Sequence, residues 1–404
     1  MPSGSDSYDV CIVGGGVIGC GTARALLLAK PGLKVCLLEK EDGLAKHQSG
    51  RNSGVVHVGY NQKPGTMKAK FVVEGSRRLR DYCTDHGVPM NQDGILVLAR
   101  NEAEQATLEI LRQRGDSNGA DVRLIGKDEV AASEPEAEAI SALYAPSGAS
   151  FDAKSYVASL AREAKELGTE ILLSHPVEHV AEKSKGITVR ARGRDITASL
   201  LINAAGLHAD RVAEQLEVGL NLRIVPFLGY YSELKPERRH LVNSHLYPCP
   251  DLEFPFLGVH LSRTFDGRVL IGPGSSLAMG REAYSPGKAN VVDMLETAGY
   301  GGFRKLLTKP RFRQLVKQEW RKSVSRAAVT KEAQRILPAL KVEDVVPSRA
   351  GIRAQLVDRD GNMVDDLVVE KTARSLHVLN AVSPALTCSL PFADHIVEQA
   401  IQIL

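Results

Sequence analysis

Tyr8-Asp9-Val10-Cys11-Ile12-Val13-Gly14-Gly15-Gly16-Val17-Ile18-Gly19 decides how this chain is read. The run from Tyr8 to Val13 is short, apolar and β-branched, the composition of a strand buried on both faces of a parallel sheet. Gly14, Gly16 and Gly19 take the spacing GxGxxG and open a helical pattern through Lys30, and Lys34 to Leu38 forms a second apolar strand. The glycines serve three physical ends, namely a tight turn, close approach of backbone to a pyrophosphate, and close packing of helix on sheet. The phosphates sit at the helix N-terminus, where N–H groups and the helix dipole favour an anion. Glu39, twenty residues beyond Gly19, supplies an acceptor for a ribose diol. A GxGxxG alone is weak evidence and fits a plain Gly-rich turn. With strand, helix and acid in order it points to an adenine dinucleotide held by Gly14, Gly16, Val17, Ile18, Glu39 and Lys40.

At 404 residues the chain is long enough for two domains and a substantial core. Its 43% hydrophobic and 25% charged content is that of a soluble globular protein. A net charge of +3 gives no argument for nucleic acid, so none is expected as a partner. No apolar run reaches the roughly 18 residues of a membrane span. Met1 to Asp9 hold no Lys or Arg, so neither a secretory signal nor a transit peptide is expected. The 6 cysteines form no CxxC pair and show no metal-ligand spacing. Free thiols in a cytoplasmic setting, with no metal, are the expectation.

Choosing between FAD and a nicotinamide cofactor needs a second signal, because both use this βαβ unit. Ile196 to Ile202 reads as a strand running into Asn203-Ala204-Ala205-Gly206, which resembles the second nucleotide-side motif of flavoproteins. Ile171 to Val180 and Gly186 to Arg192 read as short strands. The regular βαβαβ continuation of a nicotinamide enzyme is missing. The expected class is therefore α/β: a Rossmann-like, glutathione-reductase-like FAD-binding domain carrying an inserted α+β substrate domain. Residues 1–85, 145–218 and 335–404 are assigned to the first, 86–144 and 219–334 to the second.

The stretch from Arg304 to Lys322 is rich in Lys and Arg, with Phe312, Leu315, Val316 and Trp320 at helical spacing and Pro310 as an expected break. It reads either as an amphipathic helix with a solvated basic face, or as a patch for peripheral contact with the inner face of a membrane.

After Glu39 comes His47-Gln48-Ser49-Gly50-Arg51-Asn52-Ser53-Gly54-Val55-Val56-His57, too polar and Gly-rich for a core element. It reads either as a series of surface turns or as a loop lying against a cofactor ring, with His47, Gln48, Ser49, Asn52, Ser53 and Gly54 on the cofactor and His57 toward a substrate. This loop carries a family resemblance together with several other segments. They are Lys63 to Lys70, Asn203 to Gly206, Tyr247-Pro248, Pro255 to Leu261, Arg349 to Gln355, Asp365-Asp366 and Asn380 to Thr387. Over nearly its whole length the chain resembles the FAD-dependent L-2-hydroxyglutarate dehydrogenase/oxidase family, within the D-amino-acid-oxidase-like superfamily that includes glycine oxidase. It departs at Asn61-Gln62, where a Tyr-Tyr pair is expected.

The resemblance implies oxidation of a 2-hydroxy acid to a 2-oxo acid, with hydride passing to flavin N5 and electrons leaving to O2 or a quinone. Such chemistry needs a base for the hydroxyl and cations for carboxylates. His57 is the candidate base and His260 its competitor, unless His260 is merely a satisfied core histidine. Arg353 offers a bidentate fork to a carboxylate, unless it is a structural ion pair. Tyr231 and Tyr247 are candidates to hold substrate oxygens. On the cofactor side, Val177 is expected to meet the adenine through its backbone, Ala204, Ala205 and Gly206 to lie near the pyrophosphate, and Arg353 near the flavin. Ser383, Pro384, Ala385 and Thr387, ahead of a helix expected over Ala393–Leu404, aim N–H groups at the flavin. The rival within flavoenzymes is an amine or amino-acid oxidase.

Overall fold

The structure, a computed structural model, describes residues 6–184, 186–252, 258–285 and 287–404, apart from some side chains such as those of Leu315 and Trp320. Strand Asp6–Val13 lies between Val35–Leu38 and Arg194–Asn203, parallel to both, and its last residue is in register with Leu38 on one side and Asn203 on the other. The three chains therefore leave the sheet at one edge, as Gly14, Glu39 and Ala204. Arg194–Asn203 is shared along its far side: its first half pairs antiparallel with Gly186–Ala191, its end parallel with Ser375–Asn380. Val177–Lys183, Glu170–Leu172 and Val368–Lys371 complete eight strands.

Helices Val17–Ala29, Met67–Asp85, Ala153–Glu166 and Ala385–Ile403 cover one face and bury Leu26, Leu79, Tyr156 and Phe392 among them. A buried side chain of that size contributes ~1.5–3 kcal/mol. Helices Met67–Asp85 and Ala385–Ile403 approach so closely that a Cβ on Gly75 would strike the Thr387 carbonyl. The last helix starts eight residues earlier than expected because Pro391 reads as a stop in sequence but is accommodated inside the helix.

The second sheet also has eight strands, in the order Val345–Asp358, Leu222–Leu234, Val269–Leu277, His260–Arg263, His245–Pro248, Ile95–Ala99, Ser141–Ala145, Arg123–Gly126. Strand Val345–Asp358 pairs with Leu222–Leu234 along nearly its whole length. It belongs to this sheet although it falls in the 335–404 segment assigned from sequence to the cofactor side. The resemblance segment at Pro255 to Leu257 lies outside the described residues. Pro310 occupies the first position of helix Pro310–Val324 rather than breaking it, a place where its missing N–H costs nothing. Phe312 is buried against Phe227, edge to face at 6.2 Å. Among the described residues no helix is long and apolar enough to cross a membrane.

Candidate active site

A cavity of about 790 Å³ runs between the two sheets, within the size range of small-molecule and cofactor sites. Its first half is built by the glycine turn. Gly14 has φ +110°, and a Cβ there would run into the Ala204 carbonyl oxygen. Gly15 N–H donates to Glu39 Oε2 at 2.7 Å and Glu41 N–H to Glu39 Oε1 at 2.9 Å, so the buried carboxylate is fixed at the rim. Gly16 caps the helix, and Val17 N–H donates to Ser49 Oγ at 3.0 Å, which seats the polar loop on the helix N-terminus. Asn52 braces that loop through the Gln48 and Ser49 carbonyls at 2.9 and 2.8 Å, and accepts from Gly54 N–H. Val177, Ala205 and Gly206 line the same end.

A Gly14→Ala substitution meets both the positive φ and the Ala204 backbone. The purified variant is expected to carry less than about a tenth of the wild-type flavin, read from the ratio of 450 nm to 280 nm absorbance. A normally loaded variant would refute the cradle.

At the mouth, His47 sits between Tyr284 Oη at 2.6 Å and Glu41 at 2.9 Å, and Lys40 pairs with Glu282 at 2.6 Å. The two residues thus tie the cofactor loop to the segment around Glu282 while still lining the cavity.

The other half is bounded by His57, Tyr231, Tyr247, His260 and Arg353, with Asn61 and Gln62 in its wall. His57 follows the short strand Val55–Val56, and its backbone N–H donates to Thr387 Oγ1 at 3.2 Å. Ser383, Pro384, Ala385 and Thr387 all line the cavity. Because the helix begins at Ala385, its first-turn N–H groups and positive dipole end lie at the wall. Burial pushes the His57 imidazole down to about 4, so it is neutral near pH 7. His260 is also held near 4 by burial; its Nδ1 lies 3.2 Å from the Gly258 carbonyl and its ring stacks on Tyr247 at 4.3 Å. Burial raises the Tyr231 phenol above its usual range. Arg353, on strand Val345–Asp358, donates through Nε to Gln355 Oε1 at 3.0 Å, and burial lowers it to about 10.

Lys68, Asp365 and His245 carry no sequence signal of their own. Lys68 is almost fully buried in the cavity wall and pairs with Asp365 at 2.9 Å. His245 is fully buried, and neither of its ring nitrogens has a hydrogen-bond partner among the described residues. Lys68 and Asp365 fall within resemblance segments, but their pairing spans 297 residues.

His57, His245, His260 and His377 are all depressed by burial, to between about 3 and about 4. The unfolded chain, with imidazoles near 6.5, binds more protons below that pH. The stability these groups confer is complete above about 6.5 and is lost as pH falls toward 4. Calorimetry of the apoprotein should show a midpoint falling steadily from pH 6.5 to 4.5; a flat midpoint would contradict the burial.

A dinucleotide cradle opening on a second sheet, with a neutral imidazole and a partly buried guanidinium in the same cavity, fits a flavin-dependent oxidoreductase. The family of FAD dependent oxidoreductases (DAO) matches residues 9–399, and the chain belongs to that family. Among curated relatives it is 40% identical to a protein named L-2-hydroxyglutarate dehydrogenase, mitochondrial, from Caenorhabditis elegans, covering 98% of this chain and 93% of that one. It is 35% identical to the L-2-hydroxyglutarate dehydrogenase of Escherichia coli strain K12, over 98% and 94%. Among solved structures it resembles L-alpha-glycerophosphate oxidase from Mycoplasma pneumoniae with FAD bound, at TM-score 0.79 and 24% identity over 99% of this chain and 95% of that chain. It also resembles glycine oxidase from Geobacillus kaustophilus, at TM-score 0.73 and 18% identity over 98% and 95%. The expected cofactor and fold class hold: this is an FAD-dependent enzyme with a Rossmann-like domain.

Proposed function

We propose that the protein oxidises L-2-hydroxyglutarate, or a close 2-hydroxy acid, to 2-oxoglutarate or its analogue. The observation that carries this is that neutral His57 and partly buried Arg353 line one cavity beside the dinucleotide cradle. Bound FAD supplies a two-electron acceptor for the hydride leaving the substrate carbon. The chain supplies the rest. Arg353 fixes a carboxylate through two parallel N–H bonds. His57 takes the hydroxyl proton on its ring as the carbonyl forms, and its backbone tie to Thr387 holds it against the cofactor-side helix. His260 and the Tyr247 ring it stacks on line the same cavity, from strands of the sheet that carries Arg353. The first-turn amides after Pro384 favour negative charge. Gly14, Gly16, Val17, Ile18 and the 47–54 loop hold the cofactor.

Anaerobic addition of L-2-hydroxyglutarate should bleach the flavin at least tenfold faster than sarcosine or D-amino acids. The reverse order would instead favour an amine or amino-acid oxidase, the neighbouring chemistry on this fold.

The electrons then leave to O2 or a quinone. Val291, Val292 and Leu295 are exposed on helix Val291–Gly299, next to the basic helices Gly301–Thr308 and Pro310–Val324, which supports peripheral contact with an anionic bilayer. Co-sedimentation with anionic vesicles should fall several-fold when Arg304, Lys305 and Arg313 are neutralised; unchanged binding would sink that contact.

A further inference from the structure

Lys68 poses a physical problem. An ammonium with a side chain only 3% exposed is costly to bury, yet Lys68 sits in the cavity wall and, among the described residues, pairs with one carboxylate, that of Asp365, which is 70% exposed. Helix Met67–Asp85 explains how it is held: the Met67 and Lys68 N–H groups donate to Asp366 at 2.9 and 3.0 Å, which pins the first turn against the 364–366 segment. Asn380 Nδ2 bonds the carbonyls of Val364 and Asp366, the latter at 2.6 Å. Gln355 donates to the Val364 carbonyl at 2.9 Å while accepting from Arg353. Lys68 and Arg353 are thus fixed to one framework by a continuous chain of hydrogen bonds. Burial lowers the Lys68 ammonium, Asp365 raises it, and the positive charge of Arg353 lowers it again, so the two cations feel each other. Both line the cavity that holds His57.

A single cation suffices for a 2-hydroxy monocarboxylate. Two cations on one wall, one of them compensated by an exposed and displaceable carboxylate, match a ligand with two carboxylates. We propose that Lys68 is a specificity-determining residue that binds the second carboxylate of the substrate, with Asp365 as the counter-ion that carboxylate displaces. Arg353 takes the carboxylate next to the reacting carbon. This assignment rests on the 2-hydroxy-acid reading above and deepens it: the substrate class is the 2-hydroxy dicarboxylates.

The test compares two acids of equal chain length, L-2-hydroxyglutarate and L-2-hydroxyvalerate, as reductants of the holoenzyme in anaerobic stopped flow. Wild type should prefer the dicarboxylate by at least tenfold in limiting rate over apparent Kd. Lys68→Met should weaken the dicarboxylate about 100-fold, as loss of a buried charge contact does, chiefly in apparent Kd. Its preference ratio should fall at least tenfold, and Lys68→Arg should recover most of the loss. A ratio that falls by less than tenfold, with both acids losing in parallel, would make Lys68 a structural residue and overturn the assignment. Should Lys68→Met yield no holoprotein, the wild-type ratio decides: equal use of both acids overturns it. A wild type that prefers malate to L-2-hydroxyglutarate would instead defeat the five-carbon substrate, and the Lys68 comparison then runs with malate and L-2-hydroxybutyrate.

Discussion

His57→Gln should slow anaerobic reduction of the bound flavin by L-2-hydroxyglutarate about 100-fold or more, with FAD content unchanged. The magnitude is that of a general base lost from a proton-transfer step. Burial holds His57 near 4, so its neutral form prevails at pH 7 and the wild-type reduction rate should be flat above about pH 5.5. Below that it should fall as the ring is protonated. Glutamine keeps a polar side chain of similar reach but cannot accept and keep a proton. His260→Gln is the control: its ring stacks on Tyr247 and its Nδ1 faces the Gly258 carbonyl, so a loss of under tenfold is expected. If His260→Gln proves the more damaging of the two, the roles are exchanged.

Arg353→Met should raise the apparent Kd for the same substrate by roughly 100- to 1,000-fold, the scale of removing one partner of a buried, bidentate charge pair. Arg353→Lys should recover little, because a point charge does not reproduce the planar fork. Gln355 locks the Nε, so the guanidinium is oriented before a ligand arrives, and that preorganisation is lost with either change. Normal substrate binding by Arg353→Met, seen as an unshifted titration, would return this residue to a structural role.

The parts of this molecule legible in its sequence are those whose physics is local. The turn at Gly14 needs a residue without a Cβ, and strand, helix and Glu39 follow within one βαβ unit, so spacing suffices. The 47–57 loop announced itself by being too polar for the core it adjoins. Sheet membership is not local: Val345–Asp358 has the composition of either sheet, and only its pairing with Leu222–Leu234 decides. Pro391 masked the true start of the last helix, because local propensity weighs against a proline that tertiary packing tolerates. The Lys68–Asp365 pair was silent for a different reason. A lysine in the first turn of an amphipathic helix looks like every solvated lysine until the chain returns, nearly three hundred residues later, with its counter-ion.

The central strand Asp6–Val13 has a consequence for biosynthesis. One of its two partners, Val35–Leu38, is made almost at once, but the other begins at Arg194, and Ser375–Asn380 joins that second partner later still. At about 5–20 residues per second the strand's open edge waits roughly 10–40 s for its neighbour. An apolar strand edge left open that long is a template for unwanted pairing. Yield of this protein should therefore depend on chaperones that hold nascent chains, and should fall when translation between the two strands is slowed.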